Sequence, residues 1–241
     1  MPSIPHLAAA LLSVAALQAR ADGSLLRPLG GPGAAWPAPW QIAGLPHQKK
    51  PFTTFSMVEL DGRHALRVQA DASYGNLVHP LHLEAAALHL EWQWRVDQLL
   101  ADADLHTRAG DDTALKVCVL FDLPLDHVPF VERQLLRVAR AASDEPLPGA
   151  TVCYVWDTRL PPGTTLANAF TRRLRYLVLE SGAPQPHEWR SERRDVEADF
   201  VKLFGDESAQ VPTVLGIAVG ADADNTQSHS LGHVAELMLA P

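Results

Sequence analysis

Residues 88–98, with the sequence LHLEWQWRVDQ, alternate apolar and polar side chains at almost every position. Successive side chains of a β-strand point to opposite faces, so this period of two predicts a strand with one buried face. We therefore expect Trp92 and Trp94 in a hydrophobic core rather than on a sugar-stacking platform. The apolar face consists of Leu88, Leu90, Trp92, Trp94 and Val96, and the polar face of His89, Glu91, Gln93, Arg95 and Asp97.

Further strands are predicted on both sides of this segment. The stretch TFSMVELDGRHALRVQAD contains two alternating runs around Asp61-Gly62, a dipeptide typical of tight hairpins. Residues 72–84 (ASYGNLVHPLHLE) indicate a loop that leads into a short strand. Residues 22–50 are rich in proline and glycine and indicate an irregular lead-in whose tryptophans pack on the body. The remaining strands are predicted in TALKVCVLFD, TVCYVW, RRLRYLVLE, TVLGIAVGA and HVAELML.

Two segments have helical spacing. In VERQLLRVARAA an apolar side recurs every three or four residues, and we expect this side to face inward. In RDVEADFVKLFG, Asp195 is placed to cap a helix that ends at Gly205. The expected inward residues are Val131, Leu135, Val138 and Ala142 in the first helix, and Val196, Phe200, Leu203 and Phe204 in the second.

These elements predict the fold class. Seven or eight strands and two helices follow one another without a βαβ rhythm or an internal repeat. This order is typical of an antiparallel β-sandwich, which we predict here with two short helices. The composition, 47% hydrophobic and 20% charged, is sufficient for a sizeable core. No linker divides the chain, so we expect residues 22–241 to form a single β-sandwich domain.

The first residues resemble an export signal. LAAALLSVAAL, residues 7–17, is apolar but too short to span a bilayer. Ala19 and Ala21 supply the small side chains that a signal peptidase needs, although the region before the apolar run carries little charge. We predict that residues 1–21 are a cleaved signal peptide, the alternatives being a buried helix or a retained anchor. The mature protein would begin near Asp22 and be periplasmic or secreted, without stable membrane insertion.

The net charge of −8 excludes one class of partner. Nucleic-acid binding needs a concentrated basic surface, and adhesion to an anionic membrane needs the same. We therefore expect no nucleic-acid partner.

The two cysteines, Cys118 and Cys153, lie in the middle of predicted strands. An oxidising compartment permits a disulfide between them, provided that the two strands are neighbours. Because the sequence does not show that pairing, we expect two separate buried thiols, with the disulfide as the alternative.

Several segments together resemble a known bacterial family. LEWQWRVDQL, AGDDTALKVCVLF, CYVWDT, RRLRYLVLESG, EWRSERRDVEADFVKLFG and VLGIAVGADADNT occur in the order seen in the domain of unknown function DUF3047. The resemblance extends from about Trp36 to the end of the chain, and it implies an exported, jelly-roll-like sandwich without an assigned activity. Lys116 and Ala223 depart from the arginine and the threonine that the resemblance leads us to expect.

The candidate chemistry is concentrated in two acidic stretches. In GDD, adjacent carboxylates at Asp111 and Asp112 repel each other, and a cation or an arginine nearby would relieve this repulsion. We expect a structural ion-pair cluster there, with a ligand or metal site as the alternative. In ADADNT we expect a capped polar turn, and the alternative is a calcium site, because oxygen ligands at alternate positions suit calcium, our candidate cofactor. We expect one polar cluster that includes both stretches. Its candidate ligand-binding residues are Arg95, Asp111, Asp112, Arg175, Trp189 and Arg193, and its candidate metal ligands are Asp222, Asp224 and Asn225.

The leading hypothesis is an exported, non-catalytic β-sandwich that binds a carbohydrate or another small cell-envelope ligand, by analogy with sandwich binding modules. The carboxylates would accept sugar hydroxyls or hold a cation, and the arginines would donate. The alternative is a glycan-acting hydrolase or lyase that uses an Asp or Glu as general acid or base, and its signature would be paired carboxylates with one raised pKa. A third possibility is a structural envelope protein.

Overall fold

The structure is a computed structural model that describes residues 23–45, 47–85, 87–141, 143, 147–183 and 188–241. The predicted signal peptide, residues 1–21, lies outside the described residues. Within them, no helix is both long and apolar enough to cross a membrane.

The described residues form two packed sheets and two helices. The strands are β1 (Gln41–Ala43), β2 (Thr54–Leu60), β3 (Arg63–Asp71), β4 (Tyr74–Leu83), β5 (His89–Gln98), β6 (Thr113–Phe121), β7 (Ala150–Asp157), β8 (Thr165–Ala167), β9 (Leu174–Ser181), β10 (Arg190–Asp195), β11 (Val214–Asp222) and β12 (His229–Ala240). The helices are α1 (Phe130–Ala141) and α2 (Val196–Phe204).

The sheets form the predicted β-sandwich. Seven strands pair in the order β1-β4-β11-β6-β7-β9-β8, and five in the order β10-β5-β12-β3-β2. All pairs are antiparallel except β7 and β9, which run in the same direction. The predicted hairpin at Asp61-Gly62 is confirmed, since β2 and β3 pair on either side of it.

The core lies between the two sheets, and aromatic residues of β5 and β7 occupy its centre. Trp92 and Trp94 are fully buried, which confirms the prediction for the opening segment. The Trp92 ring centroid lies 5.3 Å from that of Tyr154, and the Trp94 centroid lies 5.7 Å from that of Trp156. Such offset aromatic pairs add to the stabilisation from burial alone.

The prediction of a loop that leads into a short strand in residues 72–84 is wrong in the length of the strand. Residues 74–83 form the ten-residue strand β4, which pairs with both β1 and β11. Pro80 lies within this strand although proline lacks the backbone donor that pairing in a sheet uses. It is tolerated here because it lies opposite Gly216, where the register of β11 shifts.

The prediction for the inward face of α1 is also wrong. Val131 and Val138 are about 70% exposed, and the buried residue of this helix is Leu136. Arg133 and Arg140 donate to the carbonyl oxygens of Val128 and Leu147, so the arginine side of the helix is held toward the body. Leu135, also predicted to be buried, is exposed, and Ala142 lies outside the described residues.

Helix α2 follows its prediction. The side chain of Asp195 accepts a hydrogen bond from the Ala198 amide at 2.9 Å, as an N-cap does, and Gly205 follows the last helical residue. The predicted inner residues Val196, Phe200, Leu203 and Phe204 are all buried.

The two cysteines form a disulfide, so the expectation of separate thiols is wrong. Cys118 of β6 and Cys153 of β7 lie directly opposite each other in the antiparallel pair. They belong to a second apolar cluster, on the side of the seven-stranded sheet away from the main core, together with Val155, Tyr176 and Val178. The pairing of β6 with β7, which the sequence did not reveal, decides this outcome.

Candidate functional site

The nine candidate residues do not form one cluster. Five lie together at one end of the seven-stranded sheet, three lie on the outer face of the five-stranded sheet, and one lies beside the end of α2. In that order they are Asp111, Asp112, Asp222, Asp224 and Asn225; Arg95, Trp189 and Arg193; and Arg175.

Asp112 joins the GDD and DADNT stretches. One of its carboxylate oxygens accepts from the Asn225 amide at 3.2 Å, and the other accepts from the amide and the hydroxyl of Thr226, both at 2.7 Å. The Asn225 side chain also donates to the Asp111 carbonyl. The two stretches therefore converge, and their contacts are those of a capped polar turn.

Asp222 belongs to a closed ion pair. Lys116 donates to one Asp222 oxygen at 2.8 Å, and the Thr113 amide donates to the other at 2.7 Å. Lys116 is only 2% exposed. Burial lowers the pKa of the ammonium group, but the charge of Asp222, its hydrogen bond and the neighbouring Tyr74 and Asp111 together raise the pKa above its usual value.

Asp111 and Asp224 complete this acidic end. Asp111 accepts from the hydroxyl of Tyr176 at 3.1 Å and from the amide of Asn168. Burial, together with the nearby charge of Asp222, raises the pKa of Asp111 to about 6. Burial also raises the pKa of Asp224. Among the described residues, no group of three or more His, Cys, Asp or Glu side chains is arranged to hold a metal ion.

Arg175 stabilises the end of α2. It donates to an Asp206 oxygen at 2.6 Å and also contacts Glu207 and the Leu203 carbonyl. Its guanidinium group lies 4.2 Å from the centre of the Phe204 ring. The contacts of Arg175 are therefore structural.

Trp189 lies across the outer face of the five-stranded sheet, where it is partly exposed. Its indole nitrogen donates to Asp61 at 3.1 Å, and the guanidinium groups of Arg63 and Arg95 lie 5.3 and 5.8 Å from its ring centre. Arg63 also donates to Gln93 at 2.8 Å. We call Asp61, Arg63, Gln93, Arg95 and Trp189 the Trp189 face.

Carboxylates balance the charge on and around this face. Arg95 is nearly buried and pairs with Asp61 at 2.6 Å and with Asp97 at 2.7 Å. His233 lies 2.9 Å from Asp97, and burial lowers the pKa of its imidazole. Arg193 is well exposed and pairs with Glu91 at 2.8 Å on the same side of the sheet. The Trp189 face thus presents an aromatic ring among fixed polar groups.

A cavity of about 680 Å³ adjoins the Trp189 face at the β2–β3 turn. Asp61 and Arg63 belong to both. We call this space the hairpin cavity. A volume of this size is within the roughly 300–1,000 Å³ range of small-molecule sites. Its apolar lining includes Leu26, Leu29, Trp40, Met57, Val234, Leu237 and Met238, and its ionisable lining includes Arg27, Asp61, Arg63, His64 and Glu236.

A pair of glutamates lies between the sheets at the edge strand β10. Glu192 accepts a hydrogen bond from the Trp94 indole at 3.3 Å. Burial, and next the charge of Glu180 on β9, raises the pKa of Glu192 to about 7. Burial also raises the pKa of Glu180, which lies 3.9 Å from the guanidinium of Arg190.

A model of one protein family matches residues 38–238, more than four-fifths of the chain. Its description is "Protein of unknown function (DUF3047)". The chain belongs to the DUF3047 family. The comparison with curated proteins found no match.

Several solved structures are similar to this DUF3047 protein at low identity. An endoglucanase, cel12A from Rhodothermus marinus, is 9% identical with a TM-score of 0.43, over 83% of this chain and 95% of the other. Endoglucanase 3 of family GH12 from Trichoderma harzianum is 9% identical with a TM-score of 0.41, over 85% and 97%. The xyloglucanase domain of NopAA from Sinorhizobium fredii, solved with cellobiose, is 7% identical with a TM-score of 0.40, over 84% and 98%. Scores this low transfer neither a site nor an activity.

The sequence of this DUF3047 protein pointed to part of the site only. It singled out Trp189 and Arg95, but it missed Asp61, which holds both, and the hairpin cavity beside them. Asp61 was interpreted as a turn residue alone. The cavity depends on the contact of the lead-in with β3 and β12, for which the sequence carries no periodic signal. Glu192 lies in a charged strand without an apolar pattern to mark it.

Proposed function

We propose that this protein is an exported carbohydrate-binding β-sandwich that binds a neutral glycan on the Trp189 face. The observation that carries this proposal is the position of a partly exposed indole among fixed hydrogen-bonding groups. The C–H face of a sugar ring packs against an aromatic ring, while its hydroxyls bond to neighbouring polar groups. Trp189 supplies the ring, and Asp61, Arg63 and Gln93 supply donors and acceptors.

The charge balance favours a neutral sugar over an acidic one. Arg95 is matched by two carboxylates and Arg193 by one, whereas Arg63 bonds to the neutral Gln93 amide and the Asp61 carbonyl. The three guanidinium groups are thus balanced by the carboxylates of Asp61, Asp97 and Glu91, and the surface carries no net positive charge. The whole chain carries a net charge of −8, which further disfavours an anionic ligand. The acidic end of the seven-stranded sheet is a weaker candidate, because Asp112 and Asp222 already bond within the protein.

Titration calorimetry with three hexasaccharides tests the proposal: a β-glucan, an N-acetylglucosamine oligomer and a uronate oligomer. We expect binding of at least one neutral oligomer, weakened at least tenfold by Trp189→Ala. Phe170→Ala is the matched control, since Phe170 is also exposed and stacked by an arginine, Arg108, at 5.3 Å. Silence toward both neutral oligomers, or binding of the uronate alone, would contradict the proposal. Silence combined with a lower melting temperature of Trp189→Ala would favour a purely structural protein.

A glycan hydrolase is the second candidate, favoured by the Glu180–Glu192 pair. A carboxyl group whose pKa is near 7 holds a proton at neutral pH and is suited to general acid catalysis. The assay measures new reducing ends from the same neutral hexasaccharides between pH 5 and 8. Hydrolysis that Glu192→Gln abolishes and Glu59→Gln, at an exposed glutamate, leaves intact would support this function. No release over the whole range would reject it.

A further inference from the structure

We infer that the hairpin cavity binds the alkyl or acyl tail of an amphipathic glycoside whose sugar lies on the Trp189 face. The inference extends the proposed function, because the sugar half of this ligand depends on it. The tail half rests on the cavity alone.

The lining of the cavity is suited to a flexible apolar chain. Leu26, Trp40, Met57 and Val234 are buried around it, and Leu29, Leu237 and Met238 are partly exposed. Beyond the initiator, the sequence contains two methionines, and both line this cavity. Methionine is unbranched and polarisable, so it adapts to ligands without a fixed shape. An alkyl chain is such a ligand.

The ionisable groups of the lining indicate where the polar end of the ligand would lie. Asp61, Arg63 and His64 belong to the β2–β3 turn and the start of β3. Asp61 bonds to Trp189, and Arg63 stacks on it, so the cavity and the Trp189 face share these two side chains. A ligand with its tail in the cavity therefore has its head group beside the indole. This connection favours a glycoside over a wholly apolar molecule.

An irregularity in β12 forms one wall of the cavity. The pairing of β12 with β5 shifts between Ala235 and Met238, and Glu236 has a φ of 52°. A non-glycine residue in this left-handed region persists where the surrounding structure imposes it, and such residues are frequent at ligand sites. The bulge directs Glu236, Leu237 and Met238 to the cavity lining.

A series of hexyl, octyl and decyl maltosides, each below its micelle-forming concentration, tests the tail half by calorimetry. Each buried methylene tightens binding by roughly fourfold, so we expect the dissociation constant to fall steeply along the series. Leu237→Trp, which fills the cavity, should abolish this dependence, with Met238→Trp as a second filling variant if the first does not fold. Leu135→Trp, on the exposed side of α1, should preserve it. Dissociation constants independent of tail length, or a dependence that both filling variants preserve, would overturn the inference.

The sugar half is tested with decyl chains that carry a tri(ethylene glycol) head group. We expect decyl maltoside to bind at least tenfold more tightly than this compound, and Trp189→Ala to remove the difference. Equal binding of the two, with the tail dependence intact, would overturn the glycoside and the proposed function but leave the cavity as a site for alkyl chains. Weak binding of every tail length, with the hexasaccharides still bound, would overturn the cavity alone.

Discussion

At the scale of single residues, Asp112 connects two loops, GDD and ADADNT, that are more than 100 positions apart in the sequence. Its carboxylate accepts four hydrogen bonds from Asn225 and Thr226, and it is almost completely buried. These bonds are stronger than neutral ones, because the acceptor carries a charge. Its contacts therefore indicate a contribution to stability rather than to ligand binding.

We predict that Asp112→Asn lowers the free energy of unfolding by about 2 kcal/mol, because the amide accepts through one oxygen only. Urea denaturation measures this change, with Asp102→Asn, at an exposed aspartate, as the control. Glycan affinity should be unchanged. A variant that has native stability but no longer binds the glycan would contradict this prediction. It would indicate that the glycan binds at the acidic end of the seven-stranded sheet.

Glu192 makes stability depend on pH in a defined direction. The pKa of its carboxyl rises from an ordinary 4.5 to about 7 in the folded chain, through burial and the charge of Glu180. Between these two pH values the folded state holds a proton that the unfolded state has released. The contribution of Glu192 to stability is therefore present below about pH 4.5 and is lost as the pH rises through 7.

Replacing this carboxyl by an amide should remove the effect. We expect Glu192→Gln to be more stable than the native chain at pH 8 by about 1 kcal/mol. This value is smaller than the full pKa shift would give, because the side chain is still partly hydrated. The difference should shrink toward pH 4.5. Thermal melts at both pH values measure it, with Glu59→Gln as the control. A gain that is the same at both pH values would show that Glu192 does not titrate as described.

At the scale of elements, α1 and β10 differ most from the sequence pattern. The apolar side of α1 faces solvent, and its packing on the body depends on Leu136 and on two arginines that bond to loop carbonyls. Edge strand β10 consists of RSERRD, in which no residue is apolar. It pairs with β5, and its Arg194 donates to Asp199 of α2 at 2.6 and 2.8 Å. Hydrophobic periodicity could not predict either feature, because long-range contacts determine both.

The exposed side of α1 should tolerate change that its buried side does not. We predict that Leu136→Ala lowers the free energy of unfolding by about 2 kcal/mol, as expected for a buried leucine at the margin of a core. Val131→Ser should change it by less than about 0.5 kcal/mol, because its side chain is exposed. Denaturation of the two variants in urea compares them directly. Equal effects would contradict the orientation of the helix.

At the scale of the whole molecule, the disulfide between β6 and β7 ties neighbouring strands across 35 residues of sequence. Closing a loop of this length restricts the conformations of the unfolded chain and stabilises the fold by about 4 kcal/mol. We expect reductant to lower the free energy of unfolding by this amount in the native chain. A Cys118→Ala/Cys153→Ala double variant should start lower and be insensitive to reductant. If reductant left the free energy of unfolding of the native chain unchanged, the result would contradict the presence of the disulfide.

How well each feature of this molecule could be predicted depends on how far apart in the sequence the interacting residues lie. Alternation and capping are local, so the inward indoles of Trp92 and Trp94 and the cap at Asp195 could be predicted. Strand pairing is not local, so neither the disulfide nor the separation of Arg175 from Trp189 could be. The candidate site lies at the junction of the β2–β3 turn, β5 and the segment before β10, three parts of the chain that only the folded topology brings together.

Fluorine NMR of protein labelled with 5-fluorotryptophan tests the central claim most directly. The chain has six tryptophans, and each Trp→Phe variant assigns one resonance. On titration with the neutral hexasaccharides, we predict that at least one of them shifts the resonance of Trp189 and leaves those of buried Trp92, Trp94 and Trp156 in place. Shifts confined to other tryptophans, or no shift with either sugar, would contradict glycan binding on the Trp189 face.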